Sequence, residues 1–163
     1  MNILFVCTGN TCRSPMAEGI FKYLIKNEHI DNVNISSAGI SAYEGQKANE
    51  KAIEVLNSLG IDITNHKSRQ LNNSIIDNSD LILTMTNSHK MSILKYAPKV
   101  SEKVFTLKEF VNTFNEEIID FRNFDIDDPF GMDYSGYYRS MEEIKSELKK
   151  IIVNINKIAI DKQ

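Results

Sequence analysis

The stretch Ile3-Leu4-Phe5-Val6-Cys7-Thr8-Gly9-Asn10-Thr11-Cys12-Arg13-Ser14-Pro15 decides how this chain folds. Its four leading apolar residues predict a short buried strand. Ser14 is a suitable N-cap, and Pro15 a suitable first residue, for the helix that follows. Cys7 and Arg13 therefore stand at the two ends of a tight loop that joins a strand to a helix.

This loop has the chemistry of an anion site. The backbone N–H groups of such a loop can converge on an anion, and the following helix adds its positive end. Arg13 offers a planar pair of donors that matches two oxygens of a phosphoryl group. The same positive field favours a thiolate at Cys7, which could attack phosphorus and form a phosphocysteine. Gly9 permits close backbone approach, and Asn10 and Ser14 offer polar groups to the loop and the sulfur.

Other anion-binding and metal-binding motifs are missing from the sequence. The loop has no Gly-Lys-Ser/Thr ending of a nucleotide-binding P-loop, and the chain contains no Gly-x-Gly-x-x-Gly. Cys7 and Cys12 have no further cysteine or histidine pair at ligand spacing, which argues against zinc. We therefore expect neither a metal nor a cofactor, because the loop itself supplies the positive charge.

The rest of the chain alternates strand-length apolar runs with helical periodicity, which predicts an α/β fold with a mostly parallel sheet. Further strands are expected at residues 33–37, 81–85 and 104–105, and helices at 17–25, 48–59, 71–76, 87–96 and 141–158. Residues 113–136 are interpreted as a loop. No repeat or linker interrupts the pattern, so we expect a single domain over residues 1–163.

Length and composition narrow the class of protein. The chain has 163 residues, of which 42% are hydrophobic and 25% charged, as is typical of a globular domain. Its net charge of −3 gives no support to a nucleic-acid partner. No apolar run has the length of a membrane span, and no signal peptide is recognisable. Two cysteines do not make a secreted-type disulfide framework. We expect a cytoplasmic monomer without a membrane partner.

Residues 6–18, Val-Cys-Thr-Gly-Asn-Thr-Cys-Arg-Ser-Pro-Met-Ala-Glu, resemble the signature of the low-molecular-weight protein tyrosine phosphatases. Residues 36–39, 66–70 and 128–131 fit further segments of that family in the same order. The resemblance implies a three-layer α/β sandwich with a central four-stranded parallel sheet flanked by helices. It also implies a protein phosphatase that acts on phosphorylated protein substrates.

The same resemblance implies roles for individual residues. Cys7 is the expected nucleophile, Arg13 the phosphoryl-binding residue, and Asp128 the general acid. Ser37 and His66 are expected to support the loop. Cys12 lies in the same loop as Cys7 and could form a reversible, protective disulfide with it, a role that its position in the family favours, or be a small buried residue without a redox role. Substrate contacts are expected from Thr8, Gly9, Asn10, Thr11, Cys12, Ser14 and Phe130.

Three neighbouring carboxyl groups compete for the role of the acid, on Asp125, Asp127 and Asp128. Asp128 is preferred because Pro129 biases it toward an extended backbone and stiffens the segment. Such a group can protonate the leaving group and then activate water. Nearby, Tyr134, Tyr137 and Tyr138 could form the pocket rim or anchor a helix. His29 and His89 are expected at the surface.

Thr11 indicates which phosphorylated residue is cleaved. Most tyrosine-specific members of the family have a bulky aliphatic residue there, whereas Thr11 with Thr8 nearby resembles the bacterial protein arginine phosphatase branch. Residues 85–90 and 103–109 also resemble that branch. A hydroxyl-bearing residue leaves room for a flat guanidinium and offers it an acceptor. We therefore expect hydrolysis of phosphoarginine in proteins.

Three alternatives remain open at this point. The first is a phosphotyrosine phosphatase on the same scaffold. The second is an arsenate reductase, which relays through further cysteines, but no cysteine follows Cys12. The third is a phosphate-binding or redox-switch protein without catalysis, for which the pair Asp128-Pro129 would be unnecessary.

Overall fold

A four-stranded parallel sheet forms the centre of the protein in a computed structural model, which describes residues 1–114 and 124–160, with side chains up to residue 155. Its strands are β1 (Asn2–Cys7), β2 (Asn34–Gly39), β3 (Leu81–Thr84) and β4 (Val104–Thr106). They lie in the order β2-β1-β3-β4. Ile3 of β1 pairs with Ile35 on one side and with Leu81 on the other. The chain therefore adds β2 on one side of β1 and later adds β3 and β4 on the other side.

Helices cover both faces of this sheet. They are α1 (Arg13–Asn27), α2 (Glu50–Asn57), α3 (Asn73–Asp77), α4 (Asn87–Tyr96), α5 (Leu107–Asn112) and α6 (Tyr134–Ile160), with a 3₁₀ helix at Pro98–Lys103. None of the helices in the described part of the chain is long and apolar enough to cross a membrane.

The alternation of side chains along β1 divides the interior into two layers. Ile3 and Phe5 face a large core that α1, α2, α5 and α6 complete, where Phe5 and Phe21 pack edge to face with centroids 5.8 Å apart. Leu4 and Val6 face a smaller core with residues of α3 and α4. Since both faces of β1 are buried, its sequence is a continuous apolar run. The expected three-layer α/β sandwich with a four-stranded parallel sheet is confirmed.

The C-terminal helix packs as its periodicity predicts but begins earlier. Its fully buried positions are Met141, Ile144, Leu148 and Ile151, with Ile155 almost so. However, α6 starts at Tyr134, within the stretch 113–136 that the sequence pattern predicts to be a loop. Its first turn has no aliphatic residue to reveal it, and the Asp133 carboxylate accepts from the Gly136 N–H at 3.0 Å, as an N-cap does. Residues 115–123 of that expected loop lie outside the described residues.

Helices α5 and α1 also differ from expectation. The sequence pattern does not predict α5; Thr106 and Glu109 form a capping box at its N-terminus. Helix α4 covers the expected residues 87–96 and is capped by Thr86, whose Oγ1 accepts from the His89 N–H. Helix α1 begins at Arg13, so Pro15 is its third residue and Ser14 is not its N-cap. The Ser14 hydroxyl is used elsewhere, because it hydrogen-bonds to Cys7.

Candidate active site

Residues 8–12 form a loop between the end of β1 and the start of α1, at the carboxyl edge of the sheet. The direction of chain winding changes between β1 and β3, which is where parallel α/β folds bind their ligands. A pocket of about 390 Å³ opens there. It is lined by Cys7, Thr8, Gly9, Thr11, Cys12, Arg13, Ser41, Tyr43, Gln46, Asp128 and Phe130. A larger pocket of about 450 Å³ beside α1 contains neither Cys7 nor Arg13.

The sulfur of Cys7 lies at the floor of this pocket, 3% exposed and 3.0 Å from Ser14 Oγ. Asn10 Nδ2 donates to Ser14 Oγ and to Ser37 Oγ, each at 2.9 Å. Since an amide NH₂ can only donate, Ser14 Oγ accepts from Asn10 and its own hydrogen is available to the sulfur, with the Ala38 carbonyl as a more distant acceptor at 3.5 Å. The Ser14 hydroxyl can therefore stabilise negative charge on Cys7.

Hydrogen bonds to Asn10, on the side of the loop away from the pocket, stabilise the conformation of the loop. This residue has φ 56°, in the left-handed region that costs free energy for a residue other than glycine. The Arg69 N–H donates to Asn10 Oδ1 at 3.0 Å, and His66 Nε2 donates to the Asn10 carbonyl at 2.7 Å. Ser37, which accepts from Asn10, in turn donates to Glu18 Oε2 at 2.5 Å. These contacts compensate for the unfavourable backbone conformation.

The end of β2 passes close beneath the loop, and only glycine fits there. A Cβ on Gly39 would lie 2.5 Å from the Thr8 carbonyl oxygen and 2.9 Å from the Asn10 nitrogen. Its backbone N–H and C=O are also engaged, with the Arg69 carbonyl and the Leu71 N–H respectively. Strand β2 and the residues after His66 therefore form one support for the loop.

Arg13 connects the loop to the segment that carries the candidate acid. It is 4% exposed; Nη1 donates to the Ile126 carbonyl at 3.0 Å and Nη2 to Asp128 Oδ2 at 2.7 Å. The Ile126 N–H donates to the Met85 carbonyl just after β3, at 2.8 Å. These contacts bring the thiol, a guanidinium and a half-exposed carboxylate into a single pocket.

The two other acids of this segment face away from the pocket. Asp125 Oδ1 accepts from the Asn87 N–H in the first turn of α4 at 2.7 Å, and its carbonyl accepts from Lys108 Nζ. The Asp127 side chain is exposed and is not among the lining residues. Of the three carboxyl groups considered in the sequence, Asp128 is thus the one at the pocket.

Cys12 is buried beside the pocket, 6% exposed, with its sulfur 3.3 Å from the Tyr137 hydroxyl. Burial raises the pKa of the Cys12 thiol, and hydrogen bonds with Tyr137 and Thr11 partly oppose this. Burial also raises the pKa of Tyr137, so its hydroxyl stays neutral. Of the three tyrosines expected to act at a rim or as anchors, Tyr137 is the buried one, at 1% exposure.

Most residues predicted from the sequence meet at the pocket, but Asn10 and Ser14 do not line it. Their fully buried side chains lie behind the loop, where they support Cys7 instead of facing a substrate. Ser37 and His66 lie behind the loop as well, bonded to Asn10. Phe130 stands at the rim with 75% exposure.

Four residues at the site were not found from the sequence. Ser41, Tyr43 and Gln46 follow β2, and the rule that parallel strands end at one edge could have indicated them. The prediction that His89 is a surface residue is wrong. It is 7% exposed and bonded to Thr8, a contact that no sequence spacing reveals. Among the described residues, no cluster of three or more His, Cys, Asp or Glu side chains could hold a metal ion.

A thiol at the start of a strand–loop–helix turn, facing an arginine and an aspartate, is typical of cysteine-dependent phosphatases. A family model described as low molecular weight phosphotyrosine protein phosphatase matches residues 2–162. The chain belongs to this family.

Individual relatives agree over nearly the whole chain. A protein-arginine-phosphatase from Bacillus subtilis (strain 168) is 38% identical over 157 residues, which cover 96% of this chain and 98% of the relative. The low molecular weight protein-tyrosine-phosphatase PtpB of Staphylococcus epidermidis is 37% identical over 152 residues, covering 93% and 96%. A solved mutant of the arginine phosphatase YwlE with a phosphorylated active-site serine has a TM-score of 0.86 at 38% identity, covering 96% and 97%.

Replacing Asn10 with glycine tests the support behind the loop. Glycine tolerates the left-handed backbone but lacks the amide that bonds to Ser14, Ser37 and Arg69. We expect Asn10→Gly to lower the free energy of unfolding by about 1–3 kcal/mol and to reduce phosphatase turnover. Urea denaturation and steady-state kinetics measure both. The matched control is Asn32→Gly, an exposed asparagine at φ 64°. Equal effects of the two substitutions would contradict the assigned role of the Asn10 amide.

Proposed function

We propose that this protein hydrolyses phosphoarginine in proteins through a phosphocysteine intermediate. The observation that carries the proposal is the meeting of Cys7, Arg13 and Asp128 in one pocket whose lining includes Thr8 and Thr11. The similarity to a protein-arginine-phosphatase over 96% of the chain supports it further.

In the first step, Cys7 Sγ attacks phosphorus. An S–P bond forms and the P–N bond breaks, with its electron pair leaving on the guanidine nitrogen, which takes a proton from Asp128. The loop N–H groups, the start of α1 and Arg13 hold the phosphoryl oxygens. Because Nη2 of Arg13 contacts Asp128 in the structure, the phosphoryl group competes for this donor and releases the carboxyl group toward the leaving nitrogen.

In the second step, Asp128 acts as a base. It takes a proton from a water molecule that attacks the phosphocysteine, so that phosphate leaves and Cys7 regains its sulfur charge. The Ser14 hydroxyl, 3.0 Å from the sulfur, stabilises that charge in both steps. A relative with a phosphorylated serine in its active site is consistent with covalent transfer to this position.

The preference for phosphoarginine rests on the wall of the pocket. Thr8 and Thr11, two hydroxyl-bearing residues, line the pocket. Aliphatic side chains at these positions would suit a phenyl ring instead. A polar group is strongly selective when only one substrate can pair with it. The alternative, a phosphotyrosine phosphatase, is favoured by the exposed Tyr43 and Phe130 at the rim, which could pack on an aromatic ring, and by the similarity to PtpB.

Phosphate release tests the proposed function directly. The wild-type protein should release phosphate from a phosphoarginine protein faster than from a phosphotyrosine protein. Cys7→Ser should abolish release, and Asp128→Asn should slow it by about 10²–10⁴-fold, because the leaving group loses its acid. The neighbouring Asp127→Asn is the control and should remain active. A wild-type protein without phosphoarginine hydrolysis would refute the proposal.

Substitution of Thr11 tests substrate preference. Thr11→Ile removes the hydroxyl and narrows the pocket, so kcat/KM for a phosphoarginine peptide should fall at least about tenfold relative to a phosphotyrosine peptide. Kinetics on both peptides give the ratio. The control Thr64→Ile places the same change at an exposed turn. An unchanged ratio in Thr11→Ile would show that this residue does not select the substrate.

We also propose that Cys12 protects Cys7 from irreversible oxidation. A peroxide converts the Cys7 thiolate to a sulfenic acid; the Cys12 thiolate then attacks that sulfur, forming a disulfide and releasing hydroxide. Burial raises the pKa of Cys12, and the hydrogen bond with the Tyr137 hydroxyl limits this rise, so that more attacking thiolate is present than without that bond. Such a cycle needs a reducing compartment to regenerate the thiols, and we propose that the protein is cytoplasmic.

Removal of the Tyr137 hydroxyl should weaken this protection. In Tyr137→Phe the pKa of Cys12 rises further, so less thiolate is present near pH 7 and disulfide formation slows. Mass spectrometry during peroxide treatment should find less Cys7–Cys12 disulfide and more sulfinic acid on Cys7. Tyr138→Phe, the exposed neighbour, is the control. The same product ratio in both variants would contradict the role of Tyr137.

We also propose that the protein is a monomer. Analytical ultracentrifugation of the wild-type protein measures its mass in solution and checks this.

A further inference from the structure

His89 is a buried histidine that the reaction steps above do not use. It lies on α4, and its ring bridges two threonines: Nε2 is 2.9 Å from Thr8 Oγ1, and Nδ1 is 2.9 Å from Thr86 Oγ1. Thr8 directly follows the nucleophile and lines the pocket, whereas Thr86 caps α4. The ring therefore connects a helix terminus to the wall of the pocket.

The ring is neutral at physiological pH. Burial, followed by the positive charge of Arg13, lowers the pKa of His89 to about 4, although Asp128 and Asp125 oppose the shift. A neutral imidazole has one N–H donor and one acceptor nitrogen. The direction of its two hydrogen bonds therefore depends on which nitrogen carries the hydrogen.

We assign this direction so that the hydroxyl hydrogen of Thr86 is paired within the protein. Thr86 Oγ1 already accepts from the His89 backbone N–H, and within the described residues His89 Nδ1 is the one acceptor in contact with its hydroxyl. Assigned from this network, Thr86 donates to Nδ1, so the hydrogen of the ring is on Nε2. Nε2–H then donates to Thr8 Oγ1.

Thr8 therefore has one hydrogen-bond acceptor site and one hydrogen-bond donor that His89 does not use. Its oxygen has accepted one hydrogen bond and keeps a second lone pair, and its hydroxyl hydrogen is not used by His89. The exposed side chain can present both to a ligand. An N-phosphorylated guanidinium carries N–H donors directly beside phosphoryl oxygens, whereas an aryl phosphate carries no donor.

We propose that His89 is a positioning residue that orients the Thr8 hydroxyl to accept from the substrate guanidinium and donate to a phosphoryl oxygen. The inference rests on the proposed phosphoarginine activity and adds a second selective residue to Thr11. It differs from a purely structural role, in which His89 would merely anchor α4 and affect every substrate equally.

Two substitutions of His89, by side chains of similar length, distinguish the positioning role from the structural role. The side-chain amide of glutamine can place an N–H near the position of Nε2, whereas methionine has a similar shape without a donor. In His89→Met, kcat/KM for a phosphoarginine peptide should fall about tenfold relative to a phosphotyrosine peptide, and His89→Gln should retain most of the preference. Thr8→Val should cause the same loss, and Thr8→Val with His89→Met no further loss. His29→Asn, at an exposed histidine, is the control.

The outcomes distinguish this inference from the proposed function. If wild-type protein prefers phosphoarginine but His89→Met lowers both activities equally, the positioning role is overturned while the function stands. If the wild-type protein does not cleave phosphoarginine, both the proposed function and the positioning role of His89 are refuted. Nitrogen-15 NMR of the His89 ring gives an independent readout: we expect the Nε2–H tautomer at pH 7, and an Nδ1–H tautomer would overturn the inference.

Discussion

The buried side-chain amide of Asn10 is the contact on which the rest of the site depends. It has 0% exposure, and its two ends bond to α1, to β2 and to the backbone at Arg69. Unpaired, each of these groups would cost free energy in an environment without water. The left-handed backbone of Asn10 turns the loop around Cys7, and such a conformation persists only where the surroundings determine it. Segments far apart in the chain must therefore assemble before the loop has its shape.

A second constraint places Asp128, the proposed acid. The buried guanidinium of Arg13 needs partners for its charge, and it finds them in the Ile126 carbonyl and in Asp128. Their segment is joined to the end of β3 through Met85. Satisfying a buried charge thus brings a carboxyl group 115 positions away in the chain to the thiol. Stability of the loop and placement of the acid follow from the same side chain.

The parts of the structure that follow from local patterns could be predicted from the sequence. The apolar run of β1, the helical periodicity of α6 and the Cys7–Arg13 loop are all local features, and the structure contains them. The start of α6, by contrast, depends on the cap at Asp133, and α5 on the capping box of Thr106, within stretches too short for periodicity. The contact of His89 with Thr8 spans 81 positions, and that of Cys12 with Tyr137 spans 125. Such contacts are set by tertiary packing, which the sequence pattern does not reveal.

The loop and the wall of the pocket contact different parts of a substrate, and this limits how selectivity between phosphoarginine and phosphotyrosine can arise. In the proposed mechanism the loop and Arg13 bind the phosphoryl group, which is the same in phosphoarginine and phosphotyrosine, so their contribution cancels in any comparison of the two substrates. Only the wall contacts the part that differs. A phenyl ring would strip water from the hydroxyls of Thr8 and Thr11 without replacing its hydrogen bonds, whereas a guanidinium would replace them. Selectivity on this scaffold then comes as much from disfavouring the aromatic substrate as from binding the guanidinium, and it requires hydroxyls whose orientation is fixed.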